Sequence, residues 1–266
     1  MKVVGVIPAR YASTRLPGKP LQDILGKPMI RWVYENAARS RLLETLIVAT
    51  DDERIVSAVE GFGGRAALTS KEHNTGTDRV AEVVRGLECE IVVNIQGDEP
   101  FVHPGMIDEI VEPLLLDADL PMCTSMHPIL DPRDFANPNV VKAVVNLAGE
   151  ALYFSRSLIP YPRKSEGHRV FEHIGLYAYR RDFLLKYAAL PQTPLEKLES
   201  LEQLRVLEHG YRLRVVETRQ PYVALSVDTP EDLERARALA RRLEGSRGAP
   251  GGAEGPRSGS PPGDRG

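Results

Sequence analysis

Residues 3–39 read VVGVIPARYASTRLPGKPLQDILGKPMIRWVYENAAR, and the order of patterns within this stretch decides the fold. A short apolar run (3–7) leads into a loop rich in proline and glycine, and a pattern of helical period follows over 29–39. The same alternation returns three times, with apolar runs at 45–49, 66–68 and 91–95 and helical patterns at 53–62, 78–87 and 105–116. Strands that alternate with helices in this way are typical of βαβ units. The sequence therefore predicts an α/β fold with a mainly parallel sheet flanked by helices.

The character of the chain changes after Pro128. Residues 139–155 contain two β-rich runs around a glycine-containing turn, which predicts a hairpin. Residues 173–180 read as a further strand. We interpret these elements as a smaller antiparallel insertion, at about residues 130–190, on the parallel sheet.

The C-terminal part contains two more helical patterns, at 195–209 and 231–244. Thr229 stands three residues before Asp232, which is a variant of the capping box and marks the start of the second helix. Residues 245–266 contain twelve glycines or prolines and no large apolar side chain. Such a segment cannot bury enough apolar surface to offset the entropy of ordering, so we expect a disordered tail.

Composition limits the classes of partner. The chain has 266 residues, 42% of them hydrophobic, which is enough for one large or two small domains, and we interpret residues 1–244 as one domain. The net charge of −3 gives no overall basic field for nucleic acid or an anionic membrane. Cys89 and Cys123 are too few for a disulfide framework and lack zinc-ligand spacing. The first apolar run is too short for a signal peptide or a membrane span. We therefore expect a cytoplasmic protein without a nucleic-acid or membrane partner.

A cationic loop follows the first predicted strand. Residues 6–21, VIPARYASTRLPGKPL, carry Arg10, Arg15 and Lys19 and no acidic residue. The loop lacks the glycine spacing of dinucleotide folds and the GK[ST] ending of a P-loop. Arginine suits bidentate contact with phosphate, and lysine supplies a point charge. From the loop alone, a phosphate site and a solvated basic loop are about equally supported.

Acidic residues occupy two places where ligands bind in an open parallel sheet, outside the carboxyl ends of strands. The stretch IVVNIQGDEPFV (91–102) delivers Gln96, Asp98 and Glu99, and ALSVDTPEDL (224–233) places Asp228 after another short strand. Each acid alone could simply cap the following helix. Two carboxylates that face a loop of three cations are instead what magnesium-dependent phosphoryl chemistry requires.

Several longer motifs carry a resemblance to a known family. The motifs are IPARYASTRLPGKPL, HNTGTDRV, QGDEP, ALYFSR, LEQLRVLEHG and VDTPEDLE, in this order along residues 3–244. Together they resemble the 3-deoxy-manno-octulosonate cytidylyltransferases, or CMP-Kdo synthetases. The resemblance implies a Rossmann-like nucleotidyltransferase sheet, a homodimer that forms through the insertion, and Mg²⁺ as cofactor. It also implies the reaction CTP + Kdo → CMP-Kdo + pyrophosphate, which activates Kdo for lipopolysaccharide synthesis.

The resemblance also implies roles for individual residues. The nucleotide-binding positions are Pro8, Ala9, Arg10, Arg15, Lys19, Asn74, Thr75, Gly76, Thr77 and Arg79. The metal ligands are Asp98 and Asp228, which with Lys19 form the catalytic set. The sugar-binding positions are Gln96, Arg156, His173, Tyr177, Glu202 and Gln203, and Arg156 suits the carboxylate of Kdo.

Alternatives remain open for the sugar site. His173 and Tyr177 could be cross-strand packing, and Glu202 and Gln203 could be a solvated helix face. Glu172 is acidic where a basic residue is expected in close relatives, which would alter the charge around the sugar. A cytidylyltransferase for another acidic sugar, such as a sialic acid, is therefore an alternative. A non-catalytic nucleotide-binding module is another, although such a module has no need of both metal-ligand aspartates.

Overall fold

The computed structural model describes residues 1–73, 75–164 and 167–248. The strands are β1 (Val3–Ala9), β2 (Asp23–Ile24), β3 (Lys27–Pro28), β4 (Thr45–Thr50), β5 (Ala66–Leu68), β6 (Ile91–Asn94), β7 (Met122–Pro128), β8 (Lys142–Val145), β9 (Ala151–Ser155), β10 (Phe171–Arg180) and β11 (Arg214–Glu217). The α-helices are α1 (Met29–Ala37), α2 (Glu53–Gly61), α3 (Gly76–Arg85), α4 (Pro104–Leu116), α5 (Arg181–Ala188), α6 (Pro194–Glu199), α7 (Leu204–Glu208) and α8 (Pro230–Gly248). Short 3-10 helices cover Lys19–Leu21 and Pro132–Ala136.

Nine of the described strands form one mixed sheet with the central order β11-β7-β10-β6-β1-β4-β5. The pairs of β1 with β4 and β6, of β4 with β5 and of β7 with β11 are parallel. Strand β10 is antiparallel to both β6 and β7, and the β8–β9 hairpin extends from it. The predicted α/β class, with a mainly parallel sheet and an antiparallel insertion, is confirmed. The inserted strand β10 lies inside the sheet, so the insertion borders the carboxyl end of β6.

Both faces of the sheet are covered by helices. Alternate residues of β1 point to opposite faces, as in any strand. Ile7 packs in one buried cluster with Ile30 of α1 and Ile107 of α4. Val6 packs in a second cluster with Val84 of α3 on the other face. Burial on both faces explains why the parallel strands are continuous apolar runs.

The structure corrects the predicted helix over 195–209. Two helices, α6 and α7, cover this stretch, and Ser200 adopts a left-handed conformation with φ 52° at the break. Glu202 and Gln203 therefore lie in a turn before α7 and not on a helix face. A side chain at positive φ is unfavourable for a residue other than glycine, so tertiary contacts hold this turn.

The strand predicted before Asp228 is also wrong. Residues 219–228 have no regular secondary structure. The elements that were not predicted include β7, β11 and α5, together with the short strands β2 and β3. No helix within the described ranges is both long and apolar enough to cross a membrane.

The C-terminal helix runs four residues beyond its predicted end. Its capping box is confirmed, because the Thr229 N–H donates to Asp232 Oδ2 at 3.1 Å and the Asp232 N–H donates to Thr229 Oγ1 at 3.2 Å. Helix α8 continues to Gly248, so the predicted tail is wrong for residues 245–248, which are helical. The rest of the predicted tail, 249–266, lies outside the described residues, as does Asn74.

Candidate functional site

The cationic loop is an ordered turn that presents Lys19 from the end of β1. Gly18 takes a left-handed φ of 63°, and a Cβ at this position would lie 3.1 Å from the ring of Tyr11. The Gly18 N–H donates to the Tyr11 carbonyl oxygen at 3.2 Å. The Arg54 guanidinium lies over the Tyr11 ring, with its central carbon 3.4 Å from the ring centroid. Glycine is needed at position 18 because this turn combines positive φ with close packing.

Lys19 joins the two predicted metal-ligand acids. Its Nζ donates to Asp98 Oδ2 at 2.7 Å and to Asp228 Oδ1 at 3.0 Å. Arg15 pairs with the second oxygen of Asp228 at 3.1 Å. Burial opposes the charge of Lys19, but the attraction of Asp98 and then Asp228 is larger, and the pKa of Lys19 is raised. The ammonium therefore stays protonated between two carboxylates.

Backbone packing brings these residues together. The Val227 N–H donates to the Asp98 carbonyl oxygen at 2.9 Å, which holds the segment before Asp228 against the loop after β6. At Gly97, a Cβ would lie 2.6 Å from the Pro8 carbonyl oxygen, so only glycine allows this loop to approach the end of β1. Neither Asp98 nor Glu99 caps α4, whose N-cap is His103. The helix-capping alternative for these two acids is therefore wrong.

A cavity of about 370 Å³ collects most of the predicted nucleotide-binding residues. Those that line it are Pro8, Ala9, Arg10, Arg15, Lys19, Thr75, Gly76 and Arg79. Gln96, predicted to bind the sugar, and both Asp98 and Asp228 line the same cavity. The first turn of α3 borders the cavity, and backbone N–H groups at such a helix start attract anions. The cavity thus combines four cationic side chains, those of Arg10, Arg15, Lys19 and Arg79, with a helix N-terminus, which suits a polyphosphate.

Two of the predicted nucleotide ligands have contacts within the protein. Arg79 donates to Asp51 Oδ2 at 2.9 Å and to the Ser70 carbonyl at 3.2 Å, and it contacts Thr69 Oγ1. Thr77 is 3% exposed, does not line the cavity and donates to Glu202 Oε2 at 3.0 Å. These contacts show that Arg79 braces the wall of the cavity and that Thr77 faces the predicted sugar residues.

A second cavity, of about 980 Å³, adjoins the first and shares Arg15 and Asp228 with it. Arg156 and His173 line this larger cavity, whereas Tyr177, Glu202 and Gln203 line neither of the two. Gln96 connects the cavities, because its Nε2 donates at 2.9 Å to the carbonyl of Gly175, a residue of the larger cavity wall. The structure thus brings part of the predicted sugar set to one cavity next to the acid pair.

Backbone carbonyls hold the side chain of Arg156 in place. Its guanidinium donates to three backbone carbonyls, those of Glu199 at 2.7 Å, Pro138 at 2.9 Å and Ser200 at 3.3 Å. It forms no ion pair with any residue that the structure describes. The charge of Arg156 is therefore fixed in position without a carboxylate partner, as a binding site for a carboxylate ligand requires.

The other predicted sugar residues form a hydrogen-bonded chain. The Tyr177 hydroxyl donates to Gln203 Oε1 at 3.4 Å, and Gln203 Nε2 lies 3.4 Å from His173 Nδ1. His173 Nε2 lies 3.0 Å from Thr124 Oγ1. Burial lowers the pKa of His173 to about 3, so its ring is neutral. The rings of His173 and Tyr177 also pack, with centroids 5.5 Å apart, but this contact lies within β10 and is not the cross-strand packing of the alternative.

The solvated-face alternative for Glu202 and Gln203 is wrong. Gln203 is 3% exposed, and the Glu202 carboxylate accepts from Thr77. Burial raises the pKa of Glu202 above its ordinary value. Both side chains turn inward because helix α6 ends before Ser200 and the next helix starts only at Leu204.

Five further carboxyl groups of the described residues line the larger cavity, and the pKa values of two of them, Glu99 and Glu172, are strongly raised. Burial, and then the nearby charges of Asp98 and Glu172, raise the pKa of Glu99 to about 8. Burial, and then the charge of Asp134, raise the pKa of Glu172 to about 7. The position of Glu99 directly after Asp98 in QGDEP is the feature that could have identified it. The unusual acid at 172 carries less negative charge near neutral pH than its residue type implies.

The donor set at the acid pair suits a hard divalent cation. Asp98 and Asp228 supply carboxylate oxygens from separate segments, and Mg²⁺ typically takes one or two protein carboxylates with substrate phosphate oxygens and water. Among the described residues, no group of three or more His, Cys, Asp or Glu side chains could hold a metal by itself. A cation here would therefore depend on a phosphate ligand to complete its shell.

Comparison with known proteins agrees with this geometry. A family model described as cytidylyltransferase matches residues 4–218. The chain is 52% identical over 252 residues to the 3-deoxy-manno-octulosonate cytidylyltransferase of Syntrophotalea carbinolica, covering 91% of this chain and 100% of that protein. It is 54% identical over 239 residues to the enzyme of the same name from Solibacter usitatus, covering 90% of this chain and 94% of that protein.

Solved structures give the same relationship. The structure of CMP:2-keto-3-deoxy-manno-octonic acid synthetase complexed with CTP is similar with a TM-score of 0.88 and 47% identity, and the match covers 91% of this chain and 100% of the other. A cytidylyltransferase from Leptospira borgpetersenii has a TM-score of 0.61 at 19% identity, with 91% of this chain and 87% of the other covered. The second likeness shows the fold alone.

Proposed function

Since this chain belongs to the cytidylyltransferase family and, within it, to the 3-deoxy-manno-octulosonate cytidylyltransferases, we propose that it transfers CMP from CTP to Kdo. The observation that carries the proposal is the meeting of Asp98 and Asp228 at Lys19, where the two cavities adjoin. A nucleotide triphosphate in the smaller cavity and a sugar in the larger one would meet at this point. Family membership makes the protein a nucleotidyltransferase and rules against a module that only binds nucleotide.

The bond changes are those of a single in-line displacement. The anomeric hydroxyl of Kdo attacks the α-phosphorus of CTP, a phosphorus–oxygen bond to the sugar forms, and the bond to the pyrophosphate oxygen breaks. The hydroxyl proton is lost to solvent or to a nearby carboxylate. No covalent enzyme intermediate is required.

Cationic residues stabilise the charge that develops during this step. Arg10 and Arg15 line the smaller cavity and would neutralise the triphosphate. Lys19 would act on the leaving pyrophosphate, whose negative charge grows in the transition state. Preorganised charges of this kind contribute about 3 kcal/mol each to transition-state stabilisation.

The remaining roles follow from ligand chemistry. Arg156 would bind the Kdo carboxylate, and the chain formed by His173, Gln203 and Tyr177 offers donors and acceptors for hydroxyls. Asp98 and Asp228 would hold Mg²⁺, which when bound supplies positive charge at the α-phosphate. Carboxylate oxygens are the ligands that Mg²⁺ prefers, so the acid pair fits this cofactor.

The test is an assay of pyrophosphate release with CTP, ATP, GTP and UTP, each combined with Kdo or with a sialic acid. We expect release with CTP and Kdo, dependence on Mg²⁺, and loss in excess EDTA. Faster release with the sialic acid would show that the chain is a cytidylyltransferase for that sugar, which is the alternative that Glu172 suggested. No release with any pair would contradict the proposal.

The proposal includes three further parts that rest on the resemblance. They are a homodimer formed through the antiparallel insertion, a role in lipopolysaccharide synthesis and a cytoplasmic location, the last of which rests also on composition. Light scattering after size exclusion measures the first directly. A mass near twice the 29.4 kDa of the chain supports it, and a mass of one chain contradicts it.

A further inference from the structure

A hydrogen bond joins the first turn of α3 to Glu202, one of the predicted sugar-binding residues. Thr77 Oγ1 donates to Glu202 Oε2 at 3.0 Å, across 125 positions of sequence. Thr75 and Gly76, the two residues before it, line the smaller cavity, which is the proposed nucleotide cavity, but Thr77 does not. The Thr77 side chain therefore leaves the nucleotide cavity and points into the protein toward Glu202.

The Thr77 hydroxyl is the direct hydrogen-bond donor to the Glu202 carboxylate within the described residues. The nearest cation, Arg205, is 3.8 Å from Glu202 Oε1 and forms its close pair with Glu196 instead. Glu202 Oε1 is buried and has no hydrogen-bond partner among the described residues. One carboxylate oxygen is thus fixed by Thr77, and the other keeps its acceptor capacity.

The backbone beside Glu202 is also fixed. Its carbonyl accepts from the Tyr187 hydroxyl at 2.7 Å. The next residue, Gln203, contacts both His173 and Tyr177. A shift of the Glu202 side chain would therefore be felt along the whole hydrogen-bonded chain.

From this geometry we infer that Thr77 is a positioning residue for the sugar site, which holds the Glu202 carboxylate in place, and is not a nucleotide ligand. The inference rests on the proposed function and on the sugar-binding role that the family resemblance implies for Glu202. It also links the two proposed substrate sites. Helix α3 starts at the nucleotide cavity and carries Thr77, the donor that orients Glu202, a predicted sugar-binding residue. A buried carboxylate that loses its donor is destabilised in that position and shifts or takes up a proton.

The experiment compares Thr77→Val, which keeps the shape without the hydroxyl, with Thr77→Ser, which keeps the hydroxyl. Steady-state pyrophosphate release gives KM for Kdo, KM for CTP and kcat. We expect Thr77→Val to raise KM for Kdo about fivefold to tenfold, as the loss of one hydrogen bond implies, and to leave KM for CTP within about twofold. Thr77→Ser is expected to restore KM for Kdo.

A double-mutant cycle with Glu202→Gln assigns the effect to this contact. In the Glu202→Gln background, we expect Thr77→Val to add less than about twofold to KM for Kdo, because both changes act on one interaction. Calorimetric titration of the wild type and Thr77→Val with Kdo alone measures the affinity for the sugar without turnover.

Several outcomes would overturn the inference. They are a raised KM for CTP with an unchanged KM for Kdo, an equal loss in Thr77→Ser and Thr77→Val, and full additivity with Glu202→Gln. Thr77→Ala is a second variant without the hydroxyl, and failure of both to fold would show that Thr77 acts on the fold as a whole. A wild type that releases pyrophosphate while Thr77→Val behaves identically defeats the inference alone. A wild type without binding or turnover of Kdo defeats the proposed function and this inference together.

Discussion

The backbone N–H of Val227 donates a hydrogen bond to the carbonyl oxygen of Asp98 at 2.9 Å. This bond places Asp228, the next residue, beside Asp98 although no strand leads up to it. Both carboxylates then accept from Lys19. The two acids therefore form one unit. A backbone hydrogen bond holds their segments together, and both carboxylates bind the same lysine.

The first prediction concerns this pair. Asp98→Asn and Asp228→Asn each keep the side-chain shape and remove one charge, so we expect each to lower kcat at least about a hundredfold. The double variant should be much less than multiplicatively worse, because the two residues act together. Pyrophosphate release against Mg²⁺ concentration, for the wild type and the three variants, measures both effects.

Asp119→Asn is the matched control for the charge change, since Asp119 is exposed and lines neither cavity. It should behave as the wild type does. Turnover of the wild type in excess EDTA, or an Asp228→Asn enzyme with unchanged rate and Mg²⁺ dependence, would show that the acid pair does not bind a catalytic metal.

The second prediction separates catalysis from binding at Lys19. Lys19→Ala should lower kcat more than it raises KM for CTP, because a charge on the leaving group is needed most in the transition state. The sequence offers a matched control, since the tripeptide GKP occurs at residues 18–20 and again at 26–28. Lys27 in the second copy pairs with Glu35 and lies 5.4 Å from the Trp32 ring centroid, so Lys27→Ala should retain kcat.

An unchanged kcat with a raised KM for CTP in Lys19→Ala would instead assign Lys19 to ground-state binding. Because the pKa of Lys19 is raised, its charge should persist across the neutral range. The ratio of kcat for the wild type to kcat for Lys19→Ala should therefore be constant between pH 6 and 9.

The central parallel strands were predicted from the sequence because they are buried on both faces and therefore form continuous apolar runs. β1, β4 and β6 are apolar on both faces and were found within two residues of their ends. Strand β7, MCTSMHP, was missed because Thr124 and Ser125 interrupt the apolar run, although both are fully buried. Their hydroxyls donate to carbonyls of β10 and β11, and such pairing over long range has no local pattern.

In the candidate site too, features visible in the local sequence were predicted, and those that depend on distant contacts were not. Asp98, which lies shortly after β6, and Lys19, which lies in the loop after β1, were predicted from position, and the structure brings them together. The family prediction is confirmed, while the individual ligand roles remain predictions. The inward turn of Glu202 could not be predicted locally, because the helical pattern continues through Ser200 and the break depends on distant partners such as Thr77 and Tyr187.

The third prediction concerns the support behind the sugar residues. Arg205 and Glu196 are each 5% exposed, and Arg205 Nε donates to Glu196 Oε2 at 2.8 Å with a second contact through its NH2 group. Removing one partner of a buried pair leaves an uncompensated charge, so Arg205→Ala should lower the free energy of unfolding by about 3–5 kcal/mol. Urea denaturation measures this loss.

The control is Arg133→Ala, which breaks the pair with Asp131 where the arginine side chain is 89% exposed. That change should leave the unfolding midpoint in urea unchanged, because exposed pairs contribute little. Equal effects of Arg205→Ala and Arg133→Ala would show that the Arg205 pair is as weak as a surface one.

The fourth prediction follows from the neutral ring of His173. Burial lowers its pKa to about 3, whereas an unfolded chain has an ordinary value near 6.5. Below pH 6.5 the unfolded state binds a proton that the folded state does not, so this contribution to stability is complete above pH 6.5 and is lost as pH falls toward 3. Glu99 and Glu172 act in the opposite direction, because their raised pKa values favour the folded state as pH falls.

His173→Asn isolates the histidine from these carboxyl groups. Between pH 6.5 and 5.0 the wild type should lose up to roughly 2 kcal/mol relative to the variant, at about 1.4 kcal/mol for each pH unit. Urea unfolding of both proteins at pH 7.5, 6.5 and 5.0 gives the difference in unfolding free energy directly. His209→Asn, at an exposed histidine, should leave the wild-type pH dependence in place. If the wild type and His173→Asn keep a constant difference at all three pH values, His173 titrates normally in the folded protein and can carry a charge into the sugar site.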